Sequence, residues 1–343
     1  MINTDFESKL QALKIPGRIV NIADNDFYTC YYVDFMPDIT LNKIKARRDD
    51  IALFFSCSSV EIETDAGAVV IKVEKNRRDT VLLNNYLYDV KMHNVPDCEI
   101  PLIIGQTEDG NRLYYDLCKM PHLLAGGSTG SGKSVFMHNC ILSTIASGKS
   151  LIVMIDVKRV EFSIYENIPH LCAPICYDAR TARDTLKKLC NVMDIRYNTL
   201  KSSNARNIKE YNENGGDMQY ITVFIDELAD LMMANNQIEF YLVRLAQLGR
   251  AAGIHLVVAT QRPDSQILSG LIRVNIPTRV CFAVQKATDS RIILDMPGGE
   301  KLRGAGDGLF VPIGSKDAIH FQAPYISTPD LLGQVDLAKH CND

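Results

Sequence analysis

The chain has 343 residues, of which 46% are hydrophobic and 23% are charged, and this balance is ordinary for a globular protein. It contains no apolar run near the ~18 residues of a membrane helix and no signal peptide, so we expect no direct membrane insertion and a cytoplasmic location. Ten cysteines without a C-x-x-C pair indicate reduced thiols rather than zinc. The net charge of −4 gives no overall support for nucleic-acid binding, which would need a local basic surface.

Residues 1–92 form the first unit, a small α+β subdomain. Tyr28–Phe35 and Val69–Val73 are rich in β-branched and aromatic residues and are predicted strands, and Ile44–Ser56 has helical spacing. A group of basic residues could touch a DNA backbone, although a solvated charged face is the commoner explanation. These are Lys43, Lys45, Arg47, Arg48, Lys75, Arg77 and Arg78.

Residues 93–343 change to short apolar strands that alternate with helical stretches, a pattern typical of an α/β fold with a mainly parallel sheet. The predicted strands are His122–Ala125, Leu151–Asp156, Tyr220–Asp226, His255–Thr260 and Thr278–Val284. The predicted helices are Ser134–Ile145, Ala179–Lys201 and Phe240–Ala252.

A phosphate-binding loop follows the first of these strands and fits G-x-x-x-x-G-K-[ST] in full. Its glycines let successive N–H groups face a phosphate at the positive end of the next helix. Lys133 would reach the β- and γ-phosphates of ATP, and the Ser134 hydroxyl would hold Mg²⁺. A chance Gly/Ser-rich loop is the alternative. The predicted ATP-binding residues are Gly127, Ser128, Thr129, Gly130, Ser131, Gly132, Lys133, Ser134 and Val135.

Two further strand ends complete a hydrolytic site. Asp226 and Glu227 end an apolar strand at the sheet edge where ligands of open α/β folds bind. Asp226 is suited to hold Mg²⁺ through a water, and Glu227 to polarise the attacking water. Gln261, at another strand end, would sense the γ-phosphate, or it merely terminates the strand. These elements predict ATP hydrolysis, with Lys133 acting on the phosphates.

Taken together, the chain resembles the motor domain of the FtsK/SpoIIIE family of DNA translocases. The resemblance runs from Pro121 to Leu309, and a weaker likeness in the first ninety residues includes Asp50–Leu53 and Ser59–Ile62. The matching words include Lys119–Leu124, the phosphate loop, Ile155-Asp156 with Lys158 and Glu161, Tyr165–Leu171, Asp226–Met233, Arg250–Leu256, Ala259–Pro263, Asn275–Arg279 and Asp289–Asp295.

The resemblance implies a RecA-like P-loop domain that assembles as a homo-hexamer around double-stranded DNA. By position, Arg250 would be an arginine finger that reaches a neighbour's γ-phosphate, or else a residue that caps its own helix. DNA contacts would fall on Arg262, Arg273, Lys286 and Arg291, each of which could instead form a surface ion pair. The usual lysine of the second loop is replaced by Ala287, with Lys286 one place earlier.

Several alternatives stay open at this stage. The family's membrane-spanning and winged-helix modules have no counterpart in the sequence, which suits either a short stand-alone translocase or a truncated motor. A protein-secretion ATPase of the same fold, a conjugative coupling ATPase that moves single strands, and a scaffold that binds nucleotide without turnover are the rival functions. A recruiting protein, the biological process and the ring size are not readable from the residues.

Overall fold

The computed structural model describes residues 2–57, 59–65, 67–75 and 80–340, with backbone alone at residues 2 and 3. Arg77 and Arg78, two of the basic residues singled out above, lie outside the described residues. The chain divides into two compact units. One takes the described residues of Met1–Thr80 with Glu108–Asn111, and the other takes those of Val81–Thr107 and Arg112–Asp343.

The smaller unit packs three helices on one antiparallel sheet. Its elements are α1 (Ile2–Ala12), β1 (Gly17–Asp24), β2 (Tyr28–Phe35), α2 (Leu41–Lys45), α3 (Arg48–Phe55), β3 (Val60–Asp65) and β4 (Ala68–Glu74). The strand order is β1-β2-β4-β3. Phe6, Ile44, Ile51 and Ile71 are fully buried in its core.

The predicted strand at Tyr28–Phe35 is confirmed with those bounds, whereas the single helix predicted over Ile44–Ser56 is wrong. The chain leaves helical geometry at Arg47 (φ −100°, ψ 9°), so α2 and α3 are separate. Ile44 of α2 and Ile51 of α3 are both buried in the same core. Lys43, Lys45 and Arg47 are exposed, as a solvated charged face requires.

The larger unit is built on a mixed sheet. Its elements are α4 (Leu83–Lys91), β5 (Pro101–Thr107), β6 (Arg112–Asp116), β7 (His122–Gly126), α5 (Lys133–Ser147), β8 (Ser150–Ile155), α6 (Ala179–Ser202), α7 (Ile208–Glu213), β9 (Tyr220–Ile225), α8 (Leu228–Ala234), α9 (Gln237–Leu248), β10 (Ile254–Thr260), α10 (Gly270–Asn275), β11 (Thr278–Phe282), α11 (Ala287–Leu294), β12 (Asp307–Val311), β13 (Ile319–Gln322) and α12 (Thr328–His340). Short 3-10 helices cover Ser163–Tyr165 and Gly299–Lys301.

The strands lie in the order β6-β5-β13-β12-β11-β7-β10-β9-β8. The five from β11 to β8 are parallel to their neighbours and correspond to the five predicted strands, so the α/β prediction is confirmed. The other four pair antiparallel and extend the sheet at the β11 side. The sheet is therefore mixed. The prediction of a mainly parallel sheet holds for its part from β11 to β8.

Alternate residues of the parallel strands fill two cores, one on each face of the sheet. Leu123 and Ala125 of β7 join α4, α5 and α12 on one face, and Leu124 joins α6, α8 and α9 on the other. A strand that is buried on both faces needs apolar residues at every position, which explains its near-continuous apolar run. Packing on both faces holds the central strands in place, together with the loops at their carboxyl ends.

The predicted boundary between residues 92 and 93 would place α4 in the N-terminal unit. In the structure, the compact units part near residue 80, because Leu83, Tyr86, Leu87 and Val90 of α4 belong to the core that also contains α5. Among the described residues, we find no helix with both the length and the apolar character needed to cross a bilayer.

Two buried histidines at the amino ends of β7 and β10 make stability depend on pH. Burial lowers the pKa of His122 to about 3, helped by the neighbouring His255, and burial lowers the pKa of His255 to about 4. His122 Nδ1 accepts a hydrogen bond from the Leu256 N–H at 3.1 Å, and this bond requires an unprotonated nitrogen.

We expect the free energy of unfolding to fall as the pH drops below about 6.5, where the unfolded chain protonates these histidines and the folded chain does not. Each histidine contributes up to about 1.4 kcal/mol per pH unit to the slope of the unfolding free energy against pH. Urea unfolding at about pH 7 and about pH 5 measures the slope. His255→Gln should make it shallower, while the exposed His340→Gln should not. Equal slopes in both variants would contradict this assignment.

Candidate active site

The phosphate loop joins β7, which lies between β11 and β10, to α5, so the predicted strand–loop–helix context is confirmed. Its first residues are anchored to both neighbouring strand ends. The Gly127 N–H donates to the Thr260 carbonyl at 3.3 Å, and the Ser128 N–H donates to the Ala283 carbonyl at 2.9 Å. Gly130 (φ 79°) and Gly132 (φ 103°) have left-handed backbones, which glycine adopts without strain.

A second loop, which sequence reasoning missed, braces the phosphate loop from the side. The N–H groups of Ala305 and Gly306 donate to the carbonyls of Gly130 and Ser131 at 3.4 and 2.8 Å. The approach is so close that a Cβ on Gly132 would lie 2.3 Å from the Gly306 nitrogen. The shape of the phosphate loop therefore depends on a distant segment of the chain, Ala305–Gly306.

A cavity of about 350 Å³ opens beside this loop. One side carries phosphate-loop residues, including Thr129 and Lys133, together with Glu161. The lining also includes Pro324 and Tyr325, and Tyr325 is about half exposed. A polar phosphate end and a flat apolar wall are the two surfaces that a nucleotide requires.

Lys133 and Asp226 form a buried ion pair at the base of the site. Lys133 Nζ lies 3.3 Å from Asp226 Oδ1 and 3.3 Å from the Asp226 carbonyl oxygen, and both side chains are 2% exposed. Burial raises the pKa of Asp226, and the Lys133 ammonium opposes that shift. The carboxylate thus keeps the ammonium aligned at the end of the phosphate loop.

Asp156 shapes a loop that carries two further polar side chains into the site. Its buried carboxylate accepts hydrogen bonds from the N–H groups of Arg159, Glu161 and Phe162 at 2.9–3.0 Å. The resulting turn presents Lys158 and Glu161. In the sequence, Lys158 and Glu161 stood out only as part of the resemblance to the family. The spacing between Asp156 and Glu161 was the signal that could have identified them.

Glu161 contacts the predicted magnesium ligand. Ser134 Oγ donates to Glu161 Oε1 at 2.9 Å, and His138 Nε2 lies 3.4 Å from Glu161 Oε2. The hydrogen bond from His138 lowers the pKa of Glu161, so this carboxylate stays ionised. A hydroxyl and an ionised carboxylate therefore meet next to the phosphate loop.

These groups fit Mg²⁺ in the manner usual for nucleotide sites. The described residues hold no cluster of three or more His, Cys, Asp or Glu side chains that could enclose a metal ion. Mg²⁺ normally retains several waters and takes one or two protein oxygens plus substrate phosphates, so it needs no such cage. The oxygen set at Ser134, with the Asp226 carboxylate nearby, is of that kind.

Glu227 is the most heavily bonded side chain of the site. Its Oε1 accepts from the Thr260 hydroxyl at 2.7 Å, its Oε2 accepts from the Gln261 N–H at 3.1 Å, and its side chain caps α8 through the Ala229 N–H at 3.4 Å. Lys158 Nζ lies 3.2 Å from Oε2. The carboxylate is 1% exposed.

Gln261 connects Glu227 to the phosphate loop. Its side-chain oxygen accepts from the Thr129 hydroxyl at 3.1 Å, while its backbone N–H donates to Glu227. The structure thus brings Lys133, Ser134, Asp226, Glu227 and Gln261 together at one edge of the sheet. Their individual roles stay predictions.

Residues 87–265 match the model of the FtsK/SpoIIIE family, and that span is more than half of the chain. The chain belongs to the FtsK/SpoIIIE family. It is 37% identical over 348 residues to the DNA translocase SpoIIIE of Bacillus subtilis, covering 96% of this chain and 44% of that protein. It is 40% identical over 346 residues to the DNA translocase FtsK of Sporosarcina ureae, covering 95% and 44%. The chain thus spans less than half the length of these relatives.

A solved structure resembles almost the whole chain. It is the pCW3 conjugation coupling protein TcpA, in monomer form with ATPγS, with 25% identity and a TM-score of 0.71 over 98% of this chain and 99% of that one. The cytoplasmic domain of the Type VII secretion ATPase EccC of Thermomonospora curvata has 25% identity and a TM-score of 0.61. That match covers 70% of this chain and 31% of that one.

Arg250, at the position of the family's arginine finger, lies far from the phosphate loop of its own chain. Arg250 is exposed in the turn between α9 and β10, because α9 ends at Leu248 rather than at the predicted Ala252. This turn precedes the amino end of β10, whereas Gln261 follows its carboxyl end. A seven-residue strand separates the two edges by roughly 20 Å. Arg250 cannot reach its own phosphate loop.

The four residues at DNA-contact positions in the FtsK/SpoIIIE resemblance are all at least partly accessible. Arg262 is 63% exposed and pairs with Asp230 at 3.6 Å, and Arg273 is 32% exposed and pairs with Asp295 at 3.1 Å. Lys286 and Arg291 are exposed at the start and in the last turn of α11. Two of the positions therefore do form ion pairs, yet their exposure leaves room for a phosphate.

Arg279 is buried and ends the matching segment Asn275–Arg279, for which no role was predicted. It links α10 and α11, the helices that contain the predicted DNA-contact residues Arg273 and Arg291. Its guanidinium donates to the carbonyls of Ile276 and Ile293 at 2.5 and 2.7 Å, and also to the Arg273 carbonyl. These acceptors lie at the carboxyl ends of α10 and α11, where a cation is favourable. Arg279 thereby fixes the spacing between Arg273 and α11.

We expect Gly132→Ala to weaken binding of an ATP analogue by more than about tenfold and to lower Tm. Its left-handed backbone penalises a Cβ by about 1–2 kcal/mol, and the new methyl group would also meet the Gly306 backbone at 2.3 Å. Isothermal titration and thermal melting measure the two effects.

Gly148→Ala is the matched control at the other end of α5. It has a φ of +66° and no described heavy atom within 4 Å of an added Cβ. It should carry the backbone penalty alone and leave nucleotide affinity intact. Equal losses in the two variants would show that contact with the Gly306 loop is unimportant.

Proposed function

We propose that this chain is the motor of an ATP-driven translocase of double-stranded DNA that works as a ring in the cytoplasm, where ATP and DNA are available. The convergence of the phosphate loop, the buried Lys133–Asp226 pair and the anchored Glu227 at one sheet edge carries the ATPase part. Membership of the FtsK/SpoIIIE family and the accessible arginines support DNA as the substrate.

In this proposal the nucleotide lies in the cavity next to the phosphate loop. The N–H groups of Gly127–Val135 and the Lys133 ammonium bind the phosphates, and the base packs on Pro324 and Tyr325. Ser134, and Asp226 through a water, would hold Mg²⁺, which supplies charge neutralisation at the phosphates. Gln261 lies where it would sense the γ-phosphate.

Hydrolysis adds water across the bond between the β- and γ-phosphates and releases ADP and phosphate. Glu227 is the group that would orient and polarise this water, since it is an ionisable carboxylate at the γ-phosphate end of the site. Its two oxygens are engaged by hydrogen bonds from Thr260, Gln261 and Lys158. A change in those bonds therefore has to precede turnover.

The DNA part of the proposal rests on Arg262, Arg273, Lys286 and Arg291. Guanidinium and ammonium groups hold phosphates without reading bases, so binding should be insensitive to sequence and should weaken steeply with salt. Arg279 supports this surface by fixing α10 relative to α11.

A second candidate is a conjugative coupling ATPase. The likeness to the coupling protein TcpA extends over 98% of this chain, the widest coverage among the structures compared above. The two candidates share the ATP site and differ in the nucleic acid that activates it.

We expect duplex DNA to raise ATP turnover several-fold at low salt and to lose that effect as salt increases. Single-stranded DNA of equal nucleotide content should activate less. Lys133→Ala is the control, because it removes the phosphate-binding ammonium and should abolish turnover on every template. Activation by single strands alone favours the coupling ATPase, and no activation by duplex at any salt contradicts the translocase.

Because Arg250 cannot reach its own phosphate loop, we expect it to act on a neighbouring subunit. Mixing Arg250→Ala with Glu227→Gln subunits should restore hydrolysis, since some interfaces combine an intact Glu227 with an intact Arg250. Turnover against mixing ratio should pass through a maximum above both single variants.

The control replaces Arg250→Ala by Arg244→Ala in the mixture. Arg244 is also a partly exposed arginine of the α9 segment, but it pairs with Asp194 on α6 at 2.8 Å. Arg244→Ala subunits should be active without mixing. If no ratio of the Arg250→Ala and Glu227→Gln chains exceeds the separate proteins, the finger assignment fails.

A further inference from the structure

Four side chains of alternating charge run from the candidate catalytic carboxylate to the surface. Lys158 Nζ lies 3.2 Å from Glu227 Oε2 and 3.5 Å from Asp230 Oδ2. Arg262 Nη1 lies 3.6 Å from Asp230 Oδ1. We refer to Glu227, Lys158, Asp230 and Arg262 as the charge relay. Its outer member is one of the residues at a DNA-contact position.

The inner end of the relay is buried, its middle pair is partly exposed and its outer end is exposed. The Glu227 side chain is 1% exposed, Lys158 and Asp230 are 34% and 29% exposed, and Arg262 is 63% exposed. A phosphate in solution can therefore approach Arg262 but not Glu227. The middle pair is the ionic connection between the two side chains, and it lies beside the backbone connection through Thr260 and Gln261.

Lys158 has two competing acceptors. Glu227 and Asp230 are one helical turn apart at the start of α8, and both lie within salt-bridge distance of the same ammonium. Arg262 shares the Asp230 carboxylate and so weakens its hold on Lys158. Removing Arg262 from Asp230 would shift Lys158 towards Asp230, because an uncompensated carboxylate attracts a neighbouring cation more strongly.

Lys158 also restrains Glu227 chemically. Its ammonium, at 3.2 Å, occupies a lone pair of Glu227 Oε2. Thr260 and Gln261 occupy other lone pairs of the same carboxylate. Release of Lys158 would leave only the Gln261 N–H on Oε2 and so open a lone pair of that oxygen to the attacking water.

We propose that the charge relay couples DNA binding to hydrolysis: a DNA phosphate draws Arg262 from Asp230, Asp230 then takes Lys158, and Glu227 is released to act on water. Lys158 and Asp230 are positioning residues in this scheme. The inference rests on the proposed function, since it assumes that Arg262 meets a DNA phosphate.

The relay makes an unusual prediction for Arg262→Ala. A residue that only contacts DNA would, when removed, lower DNA affinity and leave DNA-free turnover unchanged. The relay instead predicts that Arg262→Ala raises DNA-free turnover about fivefold, which corresponds to about 1 kcal/mol, the size of one exposed ion pair. DNA should then stimulate this variant little.

Asp230→Asn tests the middle of the relay. Without the carboxylate, Lys158 has no second acceptor and stays on Glu227, so DNA should bind with near-normal affinity yet stimulate turnover at least about threefold less than in the wild type. The double variant Arg262→Ala with Asp230→Asn should lose the rise seen with Arg262→Ala alone, because that rise acts through Asp230.

The experiment measures steady-state ATP turnover with and without a duplex oligonucleotide, DNA affinity by fluorescence anisotropy, and Tm for every variant. Arg244→Ala breaks a different arginine–aspartate pair and should change neither turnover nor stimulation. Arg262 is exposed, so its loss should leave Tm nearly unchanged.

Two outcomes would overturn the proposals separately. If duplex DNA stimulates the wild type but Arg262→Ala shows no rise without DNA, the relay is wrong and the translocase proposal stands. If duplex DNA fails to stimulate the wild type at all, the proposed function and the DNA input to the relay are both wrong, whatever the DNA-free rate of the variant.

Discussion

The anchoring of the Glu227 carboxylate is the interaction on which the rest of the site depends. One side chain caps α8, accepts from Thr260 and Gln261 at the end of β10, and pairs with Lys158 from the loop after β8. Three neighbouring strand ends are thereby joined through a single buried charge. Because a buried carboxylate without partners would be costly, these elements are held together whenever Glu227 is ionised.

The same edge also fixes the phosphate loop. Hydrogen bonds from Gly127 and Ser128 tie it to the ends of β10 and β11, and the Ala305–Gly306 segment closes it from the β12 side. The parallel strands supply the position of the site, and the antiparallel extension supplies part of its wall. The two halves of the mixed sheet therefore contribute jointly to one nucleotide cavity.

This arrangement has a consequence for assembly. The nucleotide cavity is at the carboxyl edge of the parallel strands, while Arg250 is at the amino edge. If Arg250 is an arginine finger, as proposed, it lies a full strand length from its own cavity and would act on the cavity of a second copy. The geometry thus accords with the proposed ring, in which each subunit supplies a cavity to one neighbour and a finger to the other.

Local pattern was sufficient for the elements that stand next to each other in the chain. The parallel strands, the phosphate loop between β7 and α5, and the acids after β9 are encoded by apolar runs, glycines and short spacing, and the structure contains all of them. The antiparallel strands β5, β6, β12 and β13 were missed, since they form by pairing with one another and with β11 and not as part of a strand–helix alternation in the sequence. The partners of Lys158, Glu227 and Arg262 were equally invisible, because contacts across 30 to 70 residues are decided only when the sheet brings the strand ends together. The residue types and their local spacing were enough to predict an ATP site, whereas the pairing of Lys158, Asp230 and Arg262 and the edge on which Arg250 lies follow only from the way the strands pack into one sheet.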